Sequence, residues 1–181
     1  FSSFAGNPFF IDFDLLRKEN LLKKSDYADI NWGSHPEKVD YEKVYRGRKI
    51  VFDILYRNFV KNIPTEFYEF CEAQDYWLSD FSLFMAEKEA RFGMPWVYWN
   101  NDIKKRKPIT VEAEKEKFKA EIQYHKMLQY FFYKQWNELK AYVNSENIKI
   151  IGDIPIYVAS DSADVWSSPQ NFQLDENYNA I

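Results

Sequence analysis

The sequence predicts an α/β fold in which a long amphipathic helix feeds a strand buried on both faces. Three observations carry that expectation. Residues 148–153, IKIIGD, form an apolar run that meets Gly152 and Pro155, and a short run bounded by Gly and Pro reads as a buried strand. Upstream, Phe118, Ile122, His125, Leu128, Phe132, Trp136, Leu139 and Val143 recur at helical spacing. Only Ser145-Glu146-Asn147 separates the two, so helix, short loop and strand make the αβ half of a βαβ unit. Asp153 then falls at the C-terminal end of the strand, where β/α barrels build their active sites.

The remaining elements follow in chain order. Gly6-Asn7-Pro8 is a turn signal, and Phe9 to Leu16 reads as an extended or short helical segment carrying Asp12 and Asp14. Residues 25–48 are polar, with turn residues around Asn31-Trp32-Gly33-Ser34-His35-Pro36, and read as a surface loop followed by the start of a helix near Tyr41. Val44, Val51, Ile54, Leu55 and Phe59 give residues 41–62 one apolar face. A second helix follows Pro64, with Thr65 expected as its N-cap and Phe67, Phe70 and Cys71 inward. A third runs from Trp77 until Phe92-Gly93 stops it. The long helix is expected to start at Thr110 as N-cap. Ser160 to Trp166 reads as a polar loop opening a short helix that ends at Ser168-Pro169.

Composition narrows the function classes. The net charge of −4 argues against nucleic acid and anionic membrane surfaces as partners, and no apolar run approaches the length of a membrane span. One cysteine, Cys71, cannot form an intramolecular disulfide, which fits a reducing, cytoplasmic compartment. Two histidines and that cysteine make a zinc site improbable, and no cofactor motif is present. Aromatic residues reach 19% of the chain, a composition suited to sugar stacking as well as to a core. Most lie on helical apolar stripes and read as core. Trp32, Tyr45, Trp96, Tyr98, Trp99 and Tyr157 lie in or near loops, and sugar contact is the minority reading for each. Both ends of the chain read as cuts, so the chain reads as a fragment.

The candidate carboxylates have two readings. Asp153 is either aimed into a barrel mouth or caps the turn before Pro155, and residue types leave the two level. Asp161 and Asp164 read better as capping and first-turn acids than as catalysts. Asp12 and Asp14 would share a face on a strand, yet nothing marks them as the pair, about 5 Å apart, of a retaining glycosidase. Lys104-Lys105-Arg106-Lys107 reads as a solvated loop.

Several segments carry a family resemblance: SSFAGNPFFIDFDLL, VDYEKVY, FCEAQDYWLSDFSLFMAEKE, MPWVYW, HKMLQYFFYKQWNELKAY and IKIIGDIPIYVASDSADVWSSPQNFQLDE. Together they resemble the amylomaltase or disproportionating-enzyme family, the 4-α-glucanotransferases of glycoside hydrolase family 77. The resemblance implies part of a (β/α)8 TIM barrel, around strands 2 to 3, with a helix-rich insertion. Residues 1–20 would follow strand 2, residues 21–108 would be the insertion, and residues 109–181 would supply a barrel helix, strand 3 and the loop after it. It implies retaining transfer of α-1,4-glucan segments between maltodextrins or to glucose, with no cofactor. The nucleophile and acid/base would lie beyond Ile181, so the resemblance implies that the chain alone is inactive. Asp153 matches a supporting active-site carboxylate, and Tyr45 matches a remote glucan-contact tyrosine. The alternative is a non-catalytic glucan-binding or interaction module. An incomplete barrel would leave apolar faces uncovered and favour self-association.

Overall fold

The computed structural model describes residues 2–35, 37–153 and 156–181. Among them the secondary structure is helical, joined by short 3₁₀ turns, with one isolated antiparallel bridge, Leu174 to Ala180. A 3₁₀ turn at Pro8–Phe10 leads into α1, Phe13–Lys18, whose N-cap Asp12 accepts a hydrogen bond from Leu15 N at 3.0 Å. Asp40 caps α2, Tyr41–Phe59, by accepting from Lys43 N. Helices α3, Thr65–Ala73, and α4, Asp75–Ala90, follow in close succession. Phe92 (φ 53°) and Gly93 (φ 80°) end α4 in left-handed conformations, and Gly93 N donates to Lys88 O at 2.8 Å. Short α5, Asn101–Lys104, precedes α6, Pro108–Lys117, and α7, Lys119–Ser145. Last comes α8, Ala163–Ser167, capped by Ser162.

Three helix starts differ from expectation for local reasons. Thr65 occupies the first helical turn and Pro64 the cap position, because Pro64 is extended (ψ 152°) and its carbonyl already accepts from Phe67 N. Thr110 lies inside α6, since Pro108 supplies the first helical residue with its φ already fixed. The single long helix expected from Thr110 is broken at Phe118 (φ −102°, ψ 25°) into α6 and α7.

The strand expected at Ile148 to Asp153 is not formed, and with it the α/β class and the partial barrel have no strand among the described residues. Ile148, Ile150 and Ile151 are exposed rather than buried on both faces. A strand closes its backbone hydrogen bonds only on a neighbouring strand, and none of the described residues offers one. The apolar stripe of α7 splits the same way. Tyr124, His125 and Met127 to Phe131 are buried, whereas Leu139 and Tyr142 are exposed.

Two apolar clusters hold the helices together. The first joins Ile11, Phe13 and Leu16 to Val51, Phe52, Leu55 and Phe59 of α2, Phe67 of α3 and the middle of α7. The second joins Trp77, Leu78, Phe81 and Phe84 of α4 to Trp96, Trp99, Ile103, Val111, Val165 and Trp166. Both draw on residues 1–20 or 21–108 as well as on residues 109–181, so the helices of all three stretches share cores. Each large side chain in them contributes about 1.5–3 kcal/mol through removal from water. Trp96 and Trp99 are 1% and 3% exposed, which makes them core side chains rather than sugar platforms.

Candidate functional site

The segment before α1 is bound to α7 by side chains that α7 presents at successive turns. Gln129 accepts from Gly6 N at 2.8 Å and donates through Nε2 to Gly6 O at 3.0 Å. Gln135 accepts from Asp12 N at 2.7 Å and donates to Asp12 O at 3.0 Å. The Tyr133 hydroxyl donates to Phe4 O. These pairings satisfy backbone groups of the segment, and Asp12 O also accepts from Leu16 N at 3.5 Å. They carry the Gly6–Phe10 turn past the N-terminal half of α2, where Arg48 donates to Ile11 O at 3.0 Å.

A cleft of about 500 Å³ opens between that turn, α2, α4 and α7. Its walls are mostly apolar, with Phe9, Phe52, Phe81, Met85 and Leu128 among them. Tyr45 stands at the edge, 56% exposed, with the Phe9 ring 4.6 Å away at 90°. Lys49, one helical turn along α2, bonds Asp53 Oδ1 at 2.8 Å and lies 4.5 Å from the Tyr124 ring centre. His125 is 5% exposed, and its Nε2 comes within 3.4 Å of Glu89 Oε1, off the line of a hydrogen bond. Burial pushes the Glu89 carboxyl up, but contact with His125 and the Lys49 charge outweigh it and hold its pKa below the ordinary value. Burial, reinforced by Asp53 and Glu89, pushes the Tyr124 hydroxyl far up, so it stays a neutral donor.

This set of groups can bind a hydroxyl-rich ligand. It offers an aromatic ring, a cation, a carboxylate and an imidazole around an apolar floor. It lacks the chemistry for glycosidic cleavage, because Glu89 is the one carboxylate among its described lining residues and retention needs two. No group of three or more potential metal ligands occurs among the described residues.

The structure separates the two residues singled out from the sequence. Tyr45 lines the cleft; Asp153 does not, and lies in the exposed segment after α7. The other carboxylates take architectural roles. Asp12 is a cap, and Asp14 accepts from the Tyr27 hydroxyl at 2.6 Å. Asp161 pairs with buried Lys88 and accepts from Trp96 N at 3.2 Å. Asp164 accepts from Ser2 Oγ, Ser3 N and Ser3 Oγ at 2.6–2.8 Å, joining the two ends of the chain. Within the basic run, Arg106 is not a solvated side chain: it pairs with Asp80 at 2.6 Å and covers the Trp166 ring. Tyr98 and Tyr157 are exposed at 74% and 91%, outside the cleft, and Trp32 packs on Phe13.

Glu89, Lys49 and Gln129 were not evident from motif or spacing. The one available signal was polarity on an apolar stripe. His125 sits among the core positions of α7, and Gln129 lies one turn further on.

Comparison with known proteins finds similarity along nearly the whole chain. A family model described as 4-alpha-glucanotransferase matches residues 1–180. A 4-alpha-glucanotransferase of Clostridium butyricum is 47% identical over 176 residues, which are 97% of this chain and 36% of that protein. One from Synechocystis sp. is 42% identical over 97% of this chain and 35% of its own length. A solved amylomaltase from Streptococcus agalactiae, in complex with acarbose, superimposes with a TM-score of 0.91 at 40% identity, covering 98% of this chain and 36% of that one. The chain spans about a third of the length of the curated relatives it matches.

Proposed function

The chain belongs to the 4-alpha-glucanotransferase family, and from that premise we propose that it is part of a whole protein that moves α-1,4-glucan segments between maltodextrins or to glucose. The observation that carries this reading is the match of residues 1–180 to the family model. The reaction is a retaining double displacement. A carboxylate outside these residues attacks the anomeric carbon while a carboxylic acid protonates the departing 4-oxygen. The 4-hydroxyl of a second glucan, rather than water, then takes the glycosyl group from the enzyme. The chemistry needs carboxylates and no cofactor.

Two residues of this chain have roles in that scheme. Asp153 is the supporting carboxylate, at the end of a strand that residues 148–153 form once neighbouring barrel strands complete its hydrogen bonds. The exposed apolar side chains of Leu139, Tyr142, Ile148 and Ile151 are what such a barrel would cover. Tyr45 is a glucan contact remote from the reacting bond. Its exposed ring and the mostly apolar cleft beside it fit the face of a pyranose, and the acarbose complex of the S. agalactiae relative is consistent with glucan-like ligands in this family. The single partly buried cysteine fits a cytoplasmic setting, and no helix of the described residues is long and apolar enough to cross a membrane.

Incubation with maltotriose tests the reading. The whole protein should release glucose and build longer maltodextrins, while the 181-residue polypeptide alone should do neither. A whole protein that leaves maltotriose intact, or yields only hydrolysis products, would contradict the transferase assignment. Disproportionation by the 181 residues alone would contradict the placement of the catalytic pair outside them.

A further inference from the structure

Gln129 is 2% exposed, and both ends of its amide are spent on one residue, Gly6. That contact requires close approach of backbone to helix. A Cβ on Gly6 would lie 1.9 Å from the Phe132 ring, so only glycine lets the turn reach the Gln129 amide. Gln135 fixes the other end of the segment at Asp12 in the same two-bond manner. Between these points Asn7 accepts from Phe9 N at 3.0 Å, and Arg48 donates to Ile11 O at 3.0 Å. The segment therefore has little freedom, and it ends on the Phe9 ring set edge-on to Tyr45.

We propose that Gln129 is a positioning residue for Tyr45. Its amide sets the height of the Gly6–Phe10 turn over α7, the turn sets Phe9, and Phe9 selects the orientation in which the Tyr45 ring meets a glucan. An edge-to-face partner biases an otherwise exposed tyrosine toward one orientation by about two- to twelvefold. The inference rests on the reading of Tyr45 as a glucan contact and adds a mechanism that holds the contact ready. Three side chains from two helices hold the seven residues from Gly6 to Asp12, on either side of Phe9.

The test is made on the whole protein, with maltotriose and a long linear α-1,4-glucan as alternative donors. Gln129→Met keeps the length of the side chain and removes both hydrogen bonds. It should raise KM for the long donor about fivefold while KM for maltotriose and both kcat values stay within about twofold, because only the long donor reaches a remote contact. Tyr45→Ala should raise the long-donor KM to a similar extent, and the double variant should be no worse than Tyr45→Ala. Phe9→Leu, which leaves the buried amide intact, should reproduce the split and decides the matter if Gln129→Met does not fold. A Gln129→Met effect that is equal for both donors, or that multiplies with Tyr45→Ala, overturns the proposal, as does an unchanged long-donor KM in Phe9→Leu. An unchanged long-donor KM in Tyr45→Ala instead overturns the glucan-contact reading itself.

Discussion

Opposing effects meet at Glu89. Its burial favours the neutral acid, while His125 beside it and Lys49 across the cleft favour the carboxylate, and the carboxylate wins. A carboxyl whose pKa is lower folded than unfolded stabilises the fold fully above its ordinary value of 4.5 and loses that contribution as pH falls through the lowered folded value. Thermal midpoints measured from pH 6 to pH 3 should therefore fall less steeply below 4.5 in Glu89→Gln than in the unsubstituted protein. Superimposable profiles would show that the His125 contact contributes nothing to stability. Gly6 and Gln129 make a second residue-scale point. Gly6 reads from sequence only as part of a turn signal and Gln129 only as a residue of a helix, yet the absent Cβ of one and the buried amide of the other fix where the first segment of the chain lies.

Among the elements, α8 is the shortest of the α-helices except α5, and its stability comes from what it touches rather than from its length. Trp166 is fully buried, packs on Phe84 and Trp99 with ring centres 5.8 and 5.7 Å apart, lies under the Arg106 guanidinium, and donates to Ile103 O at 3.2 Å. Trp166→Ala should cost about 3–5 kcal/mol, read as a lower denaturant midpoint, and a loss below about 1 kcal/mol would show that α8 is not part of the second core. The sequence made α2 and α4 readable because the apolar spacing of α2 and the Phe92-Gly93 stop of α4 agree with the folded chain, while the Asp40 and Ser162 caps emerge only from the structure. It did not show the break at Phe118, where a continuous apolar period hides a change of backbone direction. Nor could it show that Trp96 and Trp99, placed in connecting segments, would be buried. Their indole N–H groups find Ser160 O and Met94 O only once the chain is folded.

At the scale of the molecule, the helices close two cores but leave an apolar face along the end of α7 and the residues after it, with Ile151 95% and Tyr157 91% exposed. The run IKIIGD was legible as a strand because its residues have strand character, and it is not a strand here because pairing is a property of neighbours, not of the segment. The chain belongs to the 4-alpha-glucanotransferase family and spans about a third of the length of its curated relatives; in the barrel proposed above, the neighbours that would pair with this run belong to the whole protein. The cleft at Tyr45, by contrast, is built from the Gly6–Phe10 turn and helices α2, α4 and α7 of this chain, and was only half legible, through Tyr45 itself.

The account turns on Asp153, which is exposed in this chain and is proposed to support catalysis in the whole enzyme. The decisive measurement is the turnover of maltotriose by whole-protein Asp153→Asn, taken together with its unfolding free energy. The account predicts a fall in kcat of about 100-fold or more, as for loss of a group that binds the transition state, with stability changed by less than about 1 kcal/mol. A turnover within about twofold of the unsubstituted enzyme, or a loss of activity matched by unfolding, would contradict it.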